Sequence, residues 1–382
     1  MAATSRDTHF MSEAHRFARQ IPARPWPNPP VGAVVVRDGE IVGRGAHHGP
    51  GTPHAEAAAL DDAGERARGA TLYVTLEPCN HAGRTPPCTP RVLASGVARV
   101  VVGVRDPNPN VAGGGVEVLR AAGLQVDIGV LARGCLELIW PFVATSAFAR
   151  PFVLLKTAQT LDGCFAPLDQ PPGAPFYLTG DESLDEVHRQ RRWCDLVLVG
   201  AGTVRTDRPR LDGRRAAGSG WSPEEDPRPA CVDARLDAAP AWRDDPFTVF
   251  TGPDADPARA DALRARGCEV IACAAADGRV DPADLLARAH AAGHRVIMVE
   301  GGPRLAASFL QADLVDRWLR FDAPMVLGAG RRWPEGFALP DPTGFHLTRT
   351  TRSDRDDALS VWDRTPFLDE RLRLTGVPAG ED

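Results

Sequence analysis

The sequence predicts an α/β protein of two domains, and three observations lead to this prediction. A chain of 382 residues is too long for one typical hydrophobic core. Short β-branched runs alternate with segments of helical periodicity in both halves, as is typical of α/β domains. A break near residues 143–151 separates the two series. We therefore predict one domain over residues 1–146, a second over 147–370 and a flexible tail over 371–382.

The first domain is predicted to open with a helix, because apolar residues recur at helical spacing between Phe10 and Gln20. The prolines that follow enforce an extended loop. The pair Asp38-Gly39 between two apolar runs indicates a β-hairpin. Further helices are predicted from His54 onward and over 115–122. The predicted strands are 31–36, 41–45, 71–75, 100–104 and 126–130.

The second domain is predicted to repeat this alternation after residue 151. Residues 213–228 are rich in Gly, Arg, Ser and Pro, which predicts a long surface loop. The predicted strands are 152–158, 196–200, 230–233, 248–251 and 296–300.

Composition limits the class of function. Lysine and arginine total 44 against 50 acidic residues, and aromatic residues make up 6% of the chain. This acidic balance argues against a nucleic-acid partner. The chain contains no apolar run of about 18 residues and no signal-peptide pattern at its start, so no membrane partner is expected. We expect a cytoplasmic protein with reduced thiols, in which clustered cysteines suggest a metal or catalysis.

A zinc-site pattern is the strongest local signal. His54-Ala55-Glu56 is followed by Pro78-Cys79 and then by Cys88. One imidazole and two thiolates would bind zinc and leave a fourth position for water. Glu56 is placed to carry protons, as the non-ligating glutamate of His-x-Glu zinc deaminases does. The sequence therefore predicts His54, Cys79 and Cys88 as zinc ligands and Glu56 as a catalytic residue.

Other interpretations of this pattern remain open. Eight residues separate Cys79 from Cys88, where most zinc deaminases have two. A structural zinc site would need a fourth ligand, His81 or His47, and would leave Glu56 unexplained. A non-catalytic zinc-stabilised binding protein and a nucleic-acid-editing deaminase are further alternatives, the second disfavoured by the charge balance and the few aromatic residues.

Several motifs in order resemble the bifunctional riboflavin-biosynthesis deaminase/reductase family. They are the runs 27–34, 51–56, 75–88 and 106–109, and the eight-residue gap is typical of that family. The resemblance implies a cytidine-deaminase-like three-layer domain followed by a dihydrofolate-reductase-like domain. It also implies Zn²⁺ and NADPH as cofactors, a small pyrimidine nucleotide as substrate and a homo-oligomer.

The resemblance further implies roles in the first domain. Asn28 and His47 match positions that contact the pyrimidine. Apart from the resemblance, His47 and His48 could equally be two solvated histidines of a loop. Arg84 and Thr85 match positions that bind the 5'-phosphate. A Gly-Arg-Thr turn offers amides, a guanidinium and a hydroxyl for that purpose.

In the second domain the chain's only lysine, Lys156, matches a residue at the reaction centre. Its ammonium is suited to polarising the opened ribose carbonyl or anchoring a phosphate. Two glycine turns, after residues 199 and 300, resemble dinucleotide-binding turns. The matched NADPH contacts are Ala158, Thr203, Asp207, Gly301 and Gly302. The matched contacts to the ribose phosphate of the substrate are Arg191, Leu211 and Arg214, and Glu300 is a further matched substrate contact.

The implied function is hydrolytic deamination of 2,5-diamino-6-(ribosylamino)pyrimidinone 5'-phosphate by zinc-bound hydroxide, then reduction of ribosyl to ribityl with NADPH. Four positions depart from the family. Pro175 replaces a serine, Tyr177 a tryptophan, Cys164 an arginine and Arg208 an aspartate. They motivate an alternative, a paralogue specialised for a riboflavin-like or toxoflavin-like heterocycle, with an altered or silent reductase.

Six cysteines do not have the spacing of a metal-binding motif, and we expect them to be ordinary thiols. They are Cys135, Cys164, Cys194, Cys231, Cys268 and Cys273.

Overall fold

The structure is a computed structural model that describes residues 5–21, 27–81, 86–108, 114–214 and 226–364. By their contacts these residues divide into two units, with the division between Ala149 and Arg150. The predicted tail, 371–382, and most of the predicted loop, 213–228, lie outside the described residues. No helix in the described part of the chain is both long and apolar enough to cross a membrane.

The described part of the first unit contains five strands: β1 Gly32–Arg37, β2 Glu40–Ala46, β3 Thr71–Leu76, β4 Arg99–Val104 and β5 Gln125–Ile128. They form one sheet in the order β2-β1-β3-β4-β5. Strands β1 and β2 form the predicted hairpin, and Asp38 and Gly39 at its tip have φ of 52° and 89°. A tight hairpin of this kind requires left-handed φ at both positions. Strand β1 pairs antiparallel with β3, whereas β3, β4 and β5 are parallel.

The described part of the first unit contains six helices: α1 Ser5–Arg19, α2 Ala55–Ala63, α3 Cys88–Ala94, α4 Gly115–Ala121, α5 Ala132–Leu138 and α6 Trp140–Ala147. Small residues bring helices close to the sheet. A Cβ on Gly45 would stand 2.2 Å from the Ala55 carbonyl oxygen, so α2 lies directly against β2. This contact sets the start of α2, which carries Glu56. Helix α1 packs with α5, and α2 packs with α3, which gives the three-layer arrangement.

The described part of the second unit contains a sheet of nine strands: β6 Phe152–Thr160, β7 Leu196–Gly200, β8 Arg228–Val232, β9 Thr248–Thr251, β10 Glu269–Ala272, β13 Val296–Val299, β14 Arg317–Ala323, β15 Phe345–Arg352 and β16 Ala358–Arg364. Their order in the sheet is β10-β9-β8-β7-β13-β6-β14-β16-β15. The pairs from β10 to β14 are parallel, and β16 and β15 add an antiparallel edge. Strands β11, Ala275–Ala276, and β12, Arg279–Val280, form a separate ribbon.

Helices that follow the parallel strands bury the apolar core of the second unit. Strands β7 and β13 are neighbours, so their carboxyl ends meet at one edge of the sheet. Each leads through glycine into a helix, which concentrates backbone amides at that edge. The helices are α7 Asp181–Arg191, α8 Ala201–Asp207, α9 Pro257–Ala265, α10 Pro282–Ala291 and α11 Pro303–Gln311.

Most predicted elements are present, with shifted ends. The predicted strand 126–130 ends at Ile128, because Gly129 takes a φ of 97°. The predicted helix 10–20 begins five residues earlier, at Ser5. Strands β14, β15 and β16 were not predicted.

Candidate active sites

The predicted zinc ligands come together at the edge of the first sheet. His54 is the extended residue before α2, Cys79 follows β3, and Cys88 is the first residue of α3. His54 Nδ1 lies 3.4 Å from the Cys79 sulfur and 3.3 Å from the Cys88 sulfur. All three ligand atoms lie within 4.8 Å of one another. Residues far apart in sequence therefore form one compact donor set.

The geometry of this donor set fits zinc. Tetrahedral bonds of about 2.3 Å to sulfur and about 2.0 Å to nitrogen place those ligand atoms about 3.5 Å apart. The two nitrogen–sulfur distances approach this value. Within the described residues no fourth histidine, cysteine or carboxylate joins the group. Three protein ligands with one open position are typical of catalytic rather than structural zinc.

The protonation states of the two thiols depend on each other. A hydrogen bond from Cys88 lowers the pKa of Cys79 to about 4 despite burial. The same interaction and burial raise the pKa of Cys88. One proton therefore stays on the pair until a cation compensates the second negative charge, so zinc binding releases a proton.

Glu56 lies beside the donor set in the first turn of α2. Its side chain is buried and faces the same cavity as His54 and Cys79. Burial raises the pKa of Glu56 to about 7. A carboxyl group whose pKa lies near neutrality can both accept and return a proton, as a general acid/base must.

A cavity of about 350 Å³ opens beside these groups. Asn28 and His47 line it, and Asn28 Nδ2 lies 2.8 Å from His47 Nε2. His47 Nδ1 lies 3.0 Å from the Pro53 carbonyl oxygen, which accepts its proton. His47 Nε2 therefore accepts from Asn28, and burial lowers the pKa of the imidazole. His48 is exposed, whereas Arg84 and Thr85 lie outside the described residues.

Two acidic side chains near this cavity, Glu77 and Asp106, are not among the predicted site residues. Asp106 lines the cavity, and burial raises its pKa to about 6. Buried Glu77 accepts from the Asp106 amide at 3.1 Å and from the Val116 amide at 2.9 Å. Asp106 lies in the quoted run 106–109, which was the one available signal. Phe142 of α6 also lines the cavity and had no sequence signal.

A second cavity, of about 420 Å³, lies within the second unit. Lys156 on β6 faces it, with its ammonium 5.7 Å from the Phe321 ring centre. Burial lowers the pKa of Lys156, while nearby Glu300 opposes that shift. Every residue predicted to contact NADPH or substrate in this domain lines this cavity.

Two predicted substrate contacts are paired with each other. Arg191 at the end of α7 donates to both carboxylate oxygens of Glu300, at 2.6 Å and 2.8 Å. Burial alone would raise the pKa of Glu300, but this guanidinium lowers it overall. Arg191 also donates to the Asp212 carbonyl oxygen at 3.0 Å. A buried, bidentate pair therefore forms one wall of the cavity.

The predicted cofactor residues cluster at the two glycine turns. Gly302 is the extended residue before α11, and Thr203 lies in the first turn of α8. A Cβ on Gly301 would stand 2.6 Å from the Leu305 side chain, so the turn needs glycine there. Burial raises the pKa of Asp207, which accepts from Gln170 at 2.7 Å.

The four departures from the family pattern occupy different environments. Pro175, Tyr177 and Arg208 line the second cavity, and Tyr177 is 60% exposed. Cys164 is fully buried and does not line it. All eight cysteines are buried and form no disulfide. In the described part of the chain only Cys79 and Cys88 belong to a potential metal group.

Comparisons with known proteins agree with this arrangement. Residues 4–104 match the cytidine and deoxycytidylate deaminase zinc-binding region, and residues 151–357 match the RibD C-terminal domain. The riboflavin biosynthesis protein RibD of Aquifex aeolicus is 40% identical over 329 residues, 85% of this chain and 88% of that protein. RibD of Escherichia coli is 35% identical over 341 residues, 85% of this chain and 90% of that protein.

Solved structures show the same likeness. A crystal structure from Thermotoga maritima superposes on this chain with a TM-score of 0.77 at 34% identity. It is the structure of a diaminohydroxyphosphoribosylaminopyrimidine deaminase/5-amino-6-(5-phosphoribosylamino)uracil reductase. Acinetobacter baumannii RibD gives 0.76 at 32%. Each alignment covers 94% of this chain and 99% of the other. The chain belongs to the RibD family, the zinc-dependent deaminases fused to reductases of riboflavin biosynthesis.

Proposed function

We propose that the first unit removes the 2-amino group of 2,5-diamino-6-(ribosylamino)pyrimidinone 5'-phosphate and that the second reduces the ribosyl group with NADPH. The observation that carries the proposal is the pair of cavities. One joins a three-ligand metal group to buried Glu56, and the other joins Lys156 to the Arg191–Glu300 pair. Each cavity lies within a single unit.

In the first cavity the protein supplies proton transfer and orientation. Zinc held by His54, Cys79 and Cys88 supplies the Lewis acidity that makes water nucleophilic near neutral pH. Glu56 takes the proton from the attacking water and passes it to the amino group that leaves as ammonia. The Asn28–His47 pair orients the pyrimidine, because the Pro53 carbonyl fixes the tautomer of His47.

In the second cavity the protein supplies charge and position. NADPH, when bound, supplies the hydride. The residues present fit such a cofactor, because two helix starts and a glycine without room for a side chain meet at one sheet edge. Opening of the ribosylamine ring leaves an imine between C1' and the exocyclic nitrogen, and the Lys156 ammonium donates to that nitrogen as negative charge develops there during reduction. Glu300 opposes the burial-driven fall in the Lys156 pKa and so helps keep the ammonium charged.

The proposal includes the setting of the enzyme. We place it in the cytoplasm as a homo-oligomer that acts on a small molecule, with no nucleic-acid or membrane partner. The acidic charge balance and the few aromatic residues support the absence of a nucleic-acid partner. Light scattering during size-exclusion chromatography should give a mass at least twice that of the 40.9 kDa chain, and the mass of a single chain would refute the homo-oligomer.

A second candidate is a specialised paralogue with a silent reductase, which Pro175 and Tyr177 in the cavity wall motivate. Single-turnover assays with the diaminopyrimidine ribosyl phosphate separate the two. Ammonia release and NADPH loss should both be observed. Ammonia release without NADPH loss would support the paralogue. Absence of both signals would refute the proposed function and would point to the substrate of another pathway.

A further inference from the structure

A short loop beside the reductase cavity is held by side chains from distant parts of the chain. The loop, residues 208–214, follows α8 and carries Leu211 and Arg214, both of which line the cavity. Arg208 and Leu211 have φ of 41° and 60°. Residues other than glycine rarely adopt this left-handed region, and surrounding contacts must hold them there.

Three loop carbonyl oxygens accept hydrogen bonds from outside the loop. Trp242 Nε1 donates to Pro209 at 3.2 Å, and an Arg243 guanidinium nitrogen donates to Arg210 at 2.9 Å. His188 Nδ1 lies 2.6 Å from the Asp212 carbonyl oxygen. Because a carbonyl oxygen can only accept, the His188 proton lies on Nδ1.

The Asp212 carbonyl oxygen connects the loop to the reaction centre through hydrogen bonds. Arg191, one turn after His188 on α7, donates to the same oxygen at 3.0 Å and also donates to Glu300. His188 is only 4% exposed. Burial, with help from the Arg191 and Arg214 guanidiniums, lowers the pKa of His188 to about 4, so the donor is neutral at ordinary pH.

We propose that His188 is a positioning residue of the reductase site, which fixes the Asp212 carbonyl and thereby both Arg191 and the loop that carries Leu211 and Arg214. The inference rests on the proposed reductase function. The family resemblance assigns Arg191, Leu211 and Arg214 to the ribose phosphate, whereas Lys156 acts at the imine between C1' and the exocyclic nitrogen. Loss of the donor should therefore weaken substrate binding more than it slows hydride transfer.

Three replacements of His188 test this. His188→Leu removes the donor, His188→Gln moves it, and His188→Asn keeps an amide nitrogen close to the position of Nδ1. The Leu and Gln variants should raise the KM for the deaminated ribosylaminouracil phosphate about tenfold, equivalent to about 1.4 kcal/mol. Their kcat should stay within about threefold of the wild-type value, and His188→Asn should restore KM to within about threefold.

The deaminase reaction of the same chain is the internal control, because His188 lies in the other unit. Ammonia release should be unchanged in all three variants. Unchanged KM in both the Leu and Gln variants would overturn the proposal, as would an Asn variant no better than Leu. Calorimetry with ribose 5-phosphate should show that the wild-type and Asn proteins bind this ligand more tightly than the Leu and Gln variants. Equal affinities in all four proteins would overturn the proposal even if the wild-type chain oxidised no NADPH.

Discussion

Replacing Arg191 by methionine should strongly destabilise the second unit. Arg191 and Glu300 form a bidentate pair at 2.6 Å and 2.8 Å, and their side chains are only 12% and 7% exposed. Methionine retains much of the aliphatic length but leaves the Glu300 carboxylate in the same site without its partner. Breaking a buried pair in this way costs about 3–5 kcal/mol. We expect a loss of unfolding free energy in that range.

The double variant separates the charge effect from lost packing. Glu300→Gln keeps the shape of the side chain and removes its charge, so Arg191→Met/Glu300→Gln should recover most of the loss. Urea unfolding followed by tryptophan fluorescence measures all four proteins of the cycle. A single-variant loss below about 1 kcal/mol, the level of an exposed pair, would refute the reasoning.

The same pair predicts how stability depends on pH. The pKa of Glu300 is lower in the folded chain than in the unfolded chain. The stability that its charge contributes is therefore fully present above the unfolded-state pKa and is lost as the pH falls through the folded-state pKa. The wild-type chain should therefore lose more unfolding free energy than the Glu300→Gln variant as pH is lowered below about 4.3, the ordinary pKa of glutamate. Equal losses would contradict the lowered pKa.

Three further predictions concern the two reactions. Glu56→Gln should lower kcat for ammonia release by about 10²–10⁴-fold with zinc content unchanged, and full turnover with zinc bound would exclude the proton-transfer role. Cys88→Ala should remove zinc, measured by elemental analysis, and abolish ammonia release, while NADPH oxidation persists when the deaminated ribosylaminouracil phosphate is supplied; retained zinc would show that Cys88 is not needed for metal binding. Gly301→Val should abolish NADPH oxidation and spare ammonia release, because its Cβ would lie 2.6 Å from Leu305; undiminished NADPH turnover would contradict the close approach.

The zinc site could be predicted because its signals are local. His54 and Glu56 begin one helix, and Cys79 and Cys88 lie nine positions apart in the sequence, so residue types and spacing together indicated the chemistry. The three-ligand geometry then followed from where β3 and the starts of α2 and α3 meet. The hairpin at Asp38-Gly39 was predictable for the same reason, because a two-residue turn has its own sequence requirement.

Features built from long-range contacts were not predictable in this way. Arg191 and Glu300 were each assigned to substrate, yet nothing in the sequence indicated that residues 109 positions apart bind each other. The left-handed Leu211 is held by side chains whose roles exist only in the folded chain. Strands β15 and β16 carry few consecutive apolar residues, because much of β15 is exposed at the sheet edge.

The most direct test of the account is to give the Glu56→Gln variant the deaminated ribosylaminouracil phosphate and to follow NADPH absorbance. Because the two reactions are proposed for separate cavities, the variant should oxidise NADPH at the wild-type rate although it releases almost no ammonia from the diaminopyrimidine. Loss of NADPH oxidation in a folded, zinc-loaded variant would contradict two independent sites in one chain.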